Sequence, residues 1–456
     1  MGLELQWPIL ATGSLATLLS AWFFAFSIRS RSARSGLAFA LPCLVVGAAI
    51  ASRIALGPSA RLALTSLVLL FAFKVAALLL HPRDELRTGP WLGKLAYLLA
   101  WPGIDARPFL AARVPFVEDG RRFGFGMVRL FVGVGGFLLL AGLAPNFSFG
   151  WLAIAAILLA VHLGFSDALT EVAKAFGWKV RPLFDAPWRS TSLLDFWSRR
   201  WNRPFVEMNR IFFTPFLTRT VGVRGAIFGT FLISGILHEL AISYPAGAGW
   251  GGPLAYFALQ GLLVLIERRL PFRGPLWVAS IVLGPLPLLF HQAFRAAIIV
   301  PFVQWTHDRL IAIGVERAVS ILIIGLGVAQ LLVLLASFQV PSRLRWREEL
   351  PRLGPFNQKL MWTYGSFIVF TIVAWGVLTL VLRDDILHGT RAGVAISTVI
   401  CLFWGFRLVT DAFYFRTEDW PRGPFMQIGH ILLNCLFTFV FLGYALTLSL
   451  HLLRLI

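Results

Sequence analysis

The residues with the clearest chemical potential are a histidine and a glutamate inside an otherwise apolar run. His238 and Glu239 close the stretch Phe231-Leu-Ile-Ser-Gly-Ile-Leu-His-Glu, and Ser234 lies one helical turn before the histidine. An imidazole titrates near neutral pH, so it can accept a proton from a hydroxyl and return it to a leaving group. Ionisable groups at membrane depth are costly and usually mark a functional site. The pattern favours His238 as a general base; a purely structural hydrogen bond is the alternative interpretation.

A polar and aromatic cluster precedes this run in a long basic loop. On a helix, Trp197 and Trp201 share one face, and Arg199 and Arg203 share another. Arginine forks match phosphate geometry, and indoles can stack on a purine. Such an interfacial helix predicts a site for a phosphate-bearing ligand, although its arginines alone can also serve to fix topology. The candidate binding residues are Trp197, Arg199, Arg200, Trp201, Arg203 and Ser234.

The elements that must position these residues are transmembrane helices. Hydrophobic residues make up 58% of the 456-residue chain and charged residues 14%, which indicates an all-α polytopic membrane protein. Apolar runs of about 20 residues can cross a bilayer. They predict about twelve spans, near 8–28, 37–56, 62–80, 127–144, 148–165, 223–244, 253–270, 275–290, 317–338, 360–382, 392–413 and 426–453. Shorter amphipathic stretches near 91–101 and 292–304 are predicted to lie in the interface or to re-enter the membrane.

The basic residues are distributed in a way that predicts sidedness. Alternate connections between spans hold 29 of the 41 lysines and arginines, whereas 145–147 and 245–252 hold none. The positive-inside rule therefore places the N-terminus outside and the large loops in the cytosol, at the inner membrane if the source is bacterial. This patterning explains the net charge of +19 without nucleic-acid binding.

A change in composition divides the chain. The segment 339–359 is charged and rich in proline, which makes it the clearest internal break in composition. We predict an N-terminal domain, 1–310, and a four-helix C-terminal domain, 311–456, of unknown role. Within the latter, Arg407 and Asp411 lie four residues apart, as do His430 and Asn434. Packing between helices is the favoured interpretation of these pairs, and a small substrate path is the alternative.

Several of these stretches together resemble a known family. Phe-Trp-Ser-Arg-Arg-Trp-Asn202 followed by Ser-Gly-Ile-Leu-His238-Glu resembles the membrane-bound O-acyltransferase superfamily, and more narrowly its wax synthase-like branch. The segments 101–108, 183–187 and 286–290 resemble the same branch. The resemblance covers about residues 60–305, so the remaining C-terminal spans lie outside it.

The resemblance implies an acyltransferase membrane core with an intramembrane chamber. Acyl-CoA enters as a co-substrate from the cytosol and a lipid alcohol enters from the bilayer, with no other cofactor and no metal. His238 corresponds to the catalytic histidine of the family and Asn202 to its motif asparagine. His238 would act as general base, and the acceptor hydroxyl would attack the thioester directly without an acyl-enzyme. Acceptors in this branch include fatty alcohols and sterols.

Two other classes of protein remain as alternatives. Twelve spans with buried charged pairs also fit a transporter or flippase, but the sequence has no internal repeat, which many such carriers display. A non-catalytic lipid-binding scaffold is the other alternative. The oligomeric state stays open. Among the remaining polar residues, Glu239 is expected to pair with a neighbouring helix, Asp105 and Arg107 to organise their loop, and Lys74 to snorkel or to meet a carboxylate.

Overall fold

The structure is a computed structural model that describes residues 37, 57–82, 85, 88–113, 120–143, 150–415 and 424–452. Its secondary structure is helical, and the described residues form no strand. The predicted spans at 8–28 and 37–56, apart from residue 37, lie outside this part of the chain.

Long apolar helices dominate the fold. Eight helices in the described residues are long and apolar enough to cross a membrane, and each coincides with a predicted span. The prediction of an all-α polytopic membrane protein is therefore confirmed. The eight helices are Pro58–Leu80, Arg122–Gly142, Gly150–Ala175, Arg203–Ala246, Val315–Arg343, Pro355–Val381, Arg391–Phe413 and Gly429–Leu452.

Two predicted spans take a different form. Pro275–Leu289 and Gln292–Ile313 together have the apolar length of a span but are bent by 66° at their junction, as in a broken span or a re-entrant loop. Pro285 and Pro287 lie just before the bend, and prolines interrupt helical hydrogen bonding. The expected span at 253–270 is the helix Gly252–Ile266, whose 15 residues extend about 22 Å. That length is shorter than a typical hydrocarbon core.

The chain forms two compact units. Of the described residues, the first unit comprises those within 1–113 and 178–302 together with residue 150, and the second comprises those within 120–143, 151–177 and 303–452. The helices Gly120–Gly142 and Gly150–Ala175 thus group mostly with the C-terminal helices. This grouping differs from the predicted division near residue 310, which follows the end of the acyltransferase resemblance. That division remains a prediction about functional domains.

The first unit holds the residues with chemical potential. Its Thr214–His238 helix, here called the histidine helix, is broken by a non-helical backbone at Gly222, where φ is 70°. Gly235 and Gly261 let it pack closely on the Gly252–Ile266 helix, since a Cβ at either position would lie within 2.9 Å of the facing helix. The shorter helices of this unit are Trp91–Ala100, Arg107–Leu110, Leu193–Asp195, Arg203–Met208, Tyr244–Ala246, Pro275–Leu283, Leu286–Leu289 and Gln292–Phe294.

The second unit contains the predicted four-helix bundle. Its core includes Leu326, Ile400, Trp404 and Tyr444, all nearly inaccessible. Buried Gln330 joins its own helix to the other three. Its side-chain amide nitrogen donates to Thr379 and Tyr444, and its amide oxygen accepts from the Trp404 indole. The four long C-terminal helices are Val315–Ser337, Pro355–Val381, Arg391–Phe413 and Pro424–Leu452, with short helices at Val340–Arg343, Trp346–Glu349 and Arg383–Leu387.

Candidate functional site

The aromatic and basic segment is built from two short helical pieces rather than one helix. The Ser192 hydroxyl accepts from the Asp195 amide and starts the first piece, which continues as a π-helical turn over Phe196–Arg200. Trp201 is then extended, and Asn202 is left-handed before the Arg203–Met208 helix begins. The predicted shared helical face of Arg199 and Arg203 is therefore wrong, because Trp201 and Asn202 interrupt the helix between them.

The aromatic side chains of this segment pack against one another and against the histidine helix. Trp201 stacks on Phe196 with ring centroids 5.6 Å apart. The helical spacing instead predicts Trp197 as the neighbour of Trp201. Trp197 meets Phe231 edge-on, and its indole donates to the Gln260 side chain at 3.1 Å. Gln260 in turn donates to the Ile281 carbonyl. The tryptophans thus fix the segment against two helices of the first unit.

The predicted binding arginines differ in their contacts. Arg200 pairs with Asp195 at 2.6 Å and also donates to the carbonyls of Asp185 and Ala186. It therefore anchors the turn that contains Leu183–Pro187. Within this turn, the backbone N–H of Asp185 donates a hydrogen bond to the Arg200 carbonyl. Arg199 is exposed, and no described residue forms a hydrogen bond or ion pair with it. Arg203 contributes its backbone amide to the Leu183 carbonyl.

One cavity brings several predicted site residues together. It has a volume of about 280 Å³ and is walled mainly by aromatic and aliphatic side chains of the first unit. Of the predicted site residues, Trp197, Trp201, Asn202, Ser234 and His238 line it. The structure does not place Arg199, Arg200 or Arg203 in that lining. Its polar lining also includes residues that sequence reasoning missed, namely Ser198, Asn209, Arg210, Thr214 and Thr230.

The sequence contains a signal for two of these missed residues. Asn209 and Arg210 form a polar pair between the basic segment and the histidine helix, within a π-helical turn spanning Asn209–Phe213. π-helical turns interrupt the regular hydrogen bonding of a helix and are frequent at functional sites. Arg210 is exposed and supplies the charge of the cavity lining.

His238 has a tautomer defined by its own helix. Its Nδ1 lies 2.6 Å from the Ser234 carbonyl, and because a carbonyl oxygen only accepts, Nδ1 carries the proton. The Ser234 hydroxyl donates to the Thr230 carbonyl, so this side chain is engaged with the helix backbone. The imidazole lies between the rings of Phe257 and Phe205, with centroids 4.3 and 5.0 Å away. In the neutral ring this leaves Nε2 as a proton acceptor, with no hydrogen-bond partner among the described residues.

Asn202 adopts a strained backbone conformation at the cavity. Its φ of 44° and ψ of 57° are left-handed, a region that asparagine tolerates better than other residues with a side chain. Its side-chain amide makes no hydrogen bond within the described part of the chain, and it lines the cavity. Strained residues often persist where the surrounding structure holds a functional group in place.

The short helix after Asn202 is held by a carboxylate. Glu207 accepts from the amides of Ile104 and Asp105 at 2.9 and 3.1 Å. This connects the helix to the Trp101–Pro108 segment that resembles the acyltransferase branch. Buried Lys74 donates to the carbonyls of Tyr97, Leu98 and Trp101 and so caps the helix before that segment. Lys74 therefore meets backbone carbonyls rather than the carboxylate considered from sequence.

Asp105 and Arg107 have the predicted structural role. Arg107 donates to both carboxylate oxygens of Asp105, the shorter bond being 2.6 Å. Burial raises the pKa of Asp105, but the hydrogen bonds and charge of Arg107 outweigh it and hold that pKa below its ordinary value. The pair closes the loop beside the Arg107–Leu110 helix.

Glu239 contacts the helix next to the histidine helix, as expected from sequence. Its Oε1 accepts from the amides of Gly251 and Leu254 at 2.9 and 3.0 Å, so it caps the N-terminus of Gly252–Ile266. That helix carries Phe257 and Gln260, which contact His238 and Trp197 respectively. Glu239 therefore fixes one wall of the cavity. Among the described residues, no group of three or more histidines, cysteines or carboxylates is arranged to hold a metal ion.

Comparison with known proteins identifies relatives of this region. Residues 180–259 match the model of the membrane bound O-acyl transferase family. An acyl-CoA–sterol O-acyltransferase of Arabidopsis thaliana is 35% identical over 100 residues, which is 19% of this chain and 29% of the relative. A probable long-chain-alcohol O-fatty-acyltransferase of the same plant is 35% identical over 96 residues, 19% of this chain and 28% of the relative. The long-chain-alcohol O-fatty-acyltransferase of Simmondsia chinensis is 29% identical over 130 residues, 25% and 37% of the two chains.

These matches confirm the resemblance to the membrane-bound O-acyltransferase superfamily and its wax synthase-like branch. The family match lies within the predicted range of 60–305 and is narrower than it. The chain spans less than two fifths of the length of these curated relatives. The matched segment contains both Asn202 and His238.

Proposed function

We propose that this multi-pass membrane protein is an acyl-CoA-dependent O-acyltransferase that esterifies a lipid alcohol. The observation that carries the proposal is the shared cavity of His238 and Asn202, in which the imidazole has its Nδ1 proton engaged and its Nε2 available as a base. The relatives named for sterol and long-chain-alcohol acyl transfer support this class of reaction. Acyl-CoA and the alcohol are the proposed substrates, and no other cofactor is proposed.

The proposed reaction gives these two side chains separate roles. His238 Nε2 accepts the proton of the acceptor hydroxyl while the hydroxyl oxygen bonds to the thioester carbonyl carbon. The carbonyl oxygen becomes an oxyanion, which the Asn202 amide stabilises by donating a hydrogen bond. The carbon–sulfur bond then breaks, and the imidazolium returns its proton to the leaving thiolate of coenzyme A. An ester and free coenzyme A result.

Direct attack without an acyl-enzyme is consistent with the side chains around the base. The Ser234 hydroxyl, the nearest candidate nucleophile in sequence, donates to the Thr230 carbonyl of its own helix. The aromatic rings flanking His238 restrict water near the base, which favours transfer to an alcohol over hydrolysis. The proposed acyl-CoA contacts are Arg210 in the cavity lining and exposed Arg199. Trp197, Arg200, Trp201 and Arg203 build the segment that carries Arg199.

The proposed acceptor is a long-chain alcohol, with a sterol as the second candidate. Both substrates occur in the names of relatives that match over comparable lengths. The cavity walls are apolar apart from the polar groups already named, which suits either acceptor. We place the large basic loops in the cytosol, where acyl-CoA is available, and the N-terminus on the opposite side; for a bacterial source this is the inner membrane.

The test is ester formation by membranes that contain the full chain. Labelled long-chain acyl-CoA would be supplied with fatty alcohols, diacylglycerol or sterols in separate reactions. We expect a labelled ester with wild-type protein and a loss of at least 10²-fold in His238→Ala. His388→Ala is the matched control, because His388 also lies at a helix end with Nδ1 2.8 Å from the carbonyl four residues earlier.

Each outcome of this experiment is informative. An ester that depends on His238 and not on His388 supports the proposal and identifies the acceptor. Turnover that persists in His238→Ala would contradict the assigned base. No ester with any acceptor, from protein that is folded and inserted, would favour a transporter or a lipid-binding scaffold instead.

A further inference from the structure

The C-terminal helices enclose a cavity of their own. It has a volume of about 180 Å³ and lies in the second unit between the four long helices of the bundle. Among the described residues that line it, Arg407 is charged and Ser337 carries a hydroxyl. The other lining residues are apolar: Val333, Ala336, Val340, Ile368, Ile372, Phe403, Trp404, Leu433 and Phe437.

Arg407 is held in place while keeping most of its donors available. Its Nη1 donates to Asp411 at 3.0 Å, and the guanidinium lies 5.0 Å from the Phe437 ring and 5.7 Å from the Phe415 ring. A guanidinium has five N–H donors, and one is used in this ion pair. The side chain is 31% exposed and Arg407 lines the cavity.

Asp411 does not depend on Arg407 alone. The carboxylate is 7% exposed and also lies 2.9 Å from His430 Nε2 and 2.8 Å from the Asn434 amide nitrogen. The two predicted pairs, Arg407 with Asp411 and His430 with Asn434, therefore form one network between two helices. Because His430 and Asn434 also stabilise the carboxylate, Arg407 can bind a second anion without leaving Asp411 unpaired.

The position of Arg407 along its helix fits the head of an amphiphile. It lies six residues before the end of Arg391–Phe413, which is about 9 Å at the helical rise. A charged head at that level is near the membrane interface, and an attached chain can extend along the apolar wall. The cavity is smaller than the several hundred Å³ typical of a drug-sized ligand, so it accommodates a compact head and the first carbons of a chain.

We propose that this cavity binds the carboxylate of a long-chain fatty acid, with Arg407 as the anion partner. A single guanidinium already shared with Asp411 matches one negative charge better than a phosphate dianion. The aromatic and aliphatic wall contacts the first methylenes of the chain. This site is independent of the proposed acyl transfer, because none of its residues lies in the family match at 180–259.

The experiment measures binding of tritiated palmitate to the full chain in nanodiscs of zwitterionic lipid. We expect saturable binding that unlabelled palmitate displaces. Arg407→Gln should weaken the affinity by about tenfold or more, since it removes a hydrogen bond between charged groups. Ala336→Phe should also abolish this binding by filling the cavity while leaving the ion-pair network unchanged. Arg391→Gln, on the same helix but outside the cavity lining, is the control and should bind as wild type.

Competitors identify the chemistry of the head. Hexadecanol tests the need for charge, inorganic phosphate tests a free anion, and phosphatidylglycerol tests a phosphodiester head. Displacement by palmitate alone supports the proposal. Equal displacement by hexadecanol, stronger displacement by phosphate or phosphatidylglycerol, or wild-type affinity in Ala336→Phe would overturn it. If Arg407→Gln does not fold, as judged by size-exclusion chromatography, Ala336→Phe and the competitors decide the result.

Discussion

Asn202 illustrates how one residue can serve both backbone and chemistry. Its left-handed conformation allows the chain to turn from the aromatic π-helical turn into the Arg203–Met208 helix. Its side-chain amide remains available at the cavity that His238 also lines. A substitution here therefore affects two properties, and glycine separates them because it adopts positive φ without strain.

We predict that Asn202→Gly preserves stability and loses activity. Glycine keeps the turn but removes the amide, so ester formation should fall about 10²–10³-fold, as when one oxyanion donor is lost. Asn202→Ala should lose activity to a similar extent and in addition lower the thermal unfolding temperature. Acyl-transfer kinetics and thermal denaturation of both purified variants provide the comparison. Near-normal turnover in Asn202→Gly would show that the residue acts only through the backbone.

Arg199 and Arg200 are neighbours with different expected roles. Arg200 is engaged by Asp195 and by two carbonyls, whereas Arg199 is exposed without a described partner. We predict that Arg199→Ala raises the KM for acyl-CoA severalfold with little change in kcat or stability. Arg200→Ala should instead destabilise the Leu183–Pro187 turn and lower kcat. Steady-state kinetics would be measured for both variants with varied acyl-CoA. A change in KM alone in both variants would contradict this assignment.

At the scale of elements, the cavity depends on how helices are capped and how closely they approach. Glu239 caps the Gly252–Ile266 helix, and Lys74 and Glu207 hold the Trp101–Pro108 segment beside the Arg203–Met208 helix. These polar contacts occur among apolar helices, where hydrogen bonds replace a hydrophobic driving force for association. The side chains that line the cavity are thereby positioned by residues that do not line it.

We predict that Glu239 acts through its cap rather than as a proton-transfer partner of His238. Glu239→Gln retains a carbonyl oxygen for the amides of Gly251 and Leu254 and should keep most activity. Glu239→Ala should destabilise the protein by about 1–2 kcal/mol, the usual effect of losing an N-terminal cap, and should lower kcat. Thermal denaturation and ester formation would be measured on both. Loss of turnover in Glu239→Gln without loss of stability would indicate a role for the charge.

At the scale of the whole molecule, the orientation of the chain in the membrane determines which helix ends face the cytosol. Arg345 lies in the basic connection after Val315–Ser337, and Asp384 lies after Pro355–Val381 in the next connection. One long apolar helix separates them, so they are predicted to face opposite sides of the membrane.

We predict that Arg345→Cys is labelled from the cytosolic side and Asp384→Cys from the opposite side. Both residues are exposed in their connections, so a membrane-impermeant maleimide should reach each of them. The three natural cysteines lie in apolar runs and provide a low background, checked with the unsubstituted chain. Labelling is compared between intact cells and inverted vesicles. Reaction of both cysteines from one side would contradict the span at 360–382, and a reversed pattern would contradict the positive-inside assignment.

The sequence by itself determined the class of the protein and pointed to His238 and Asn202 as candidate site residues. Apolar runs are local in the chain, and helices in a bilayer satisfy their own backbone hydrogen bonds. Eight of the predicted runs therefore coincide with long apolar helices in the described part of the chain, without knowledge of their packing. The placement of His238 in such a run depends on the same local pattern. The link to acyltransferases rested on short motifs, which the comparisons confirmed for the segment 180–259.

The tertiary structure decided which of these residues meet. The spacing of Trp197 with Trp201 and of Arg199 with Arg203 predicts one continuous helix. The extended Trp201 and left-handed Asn202 interrupt that helix, and Asn202 lines the cavity of His238. The capping contacts of Lys74, Glu207 and Glu239 join residues distant in the chain, and the network of Arg407, Asp411, His430 and Asn434 joins two helices. Such contacts depend on how close and at what angle the helices pack, which one-dimensional periodicity does not specify.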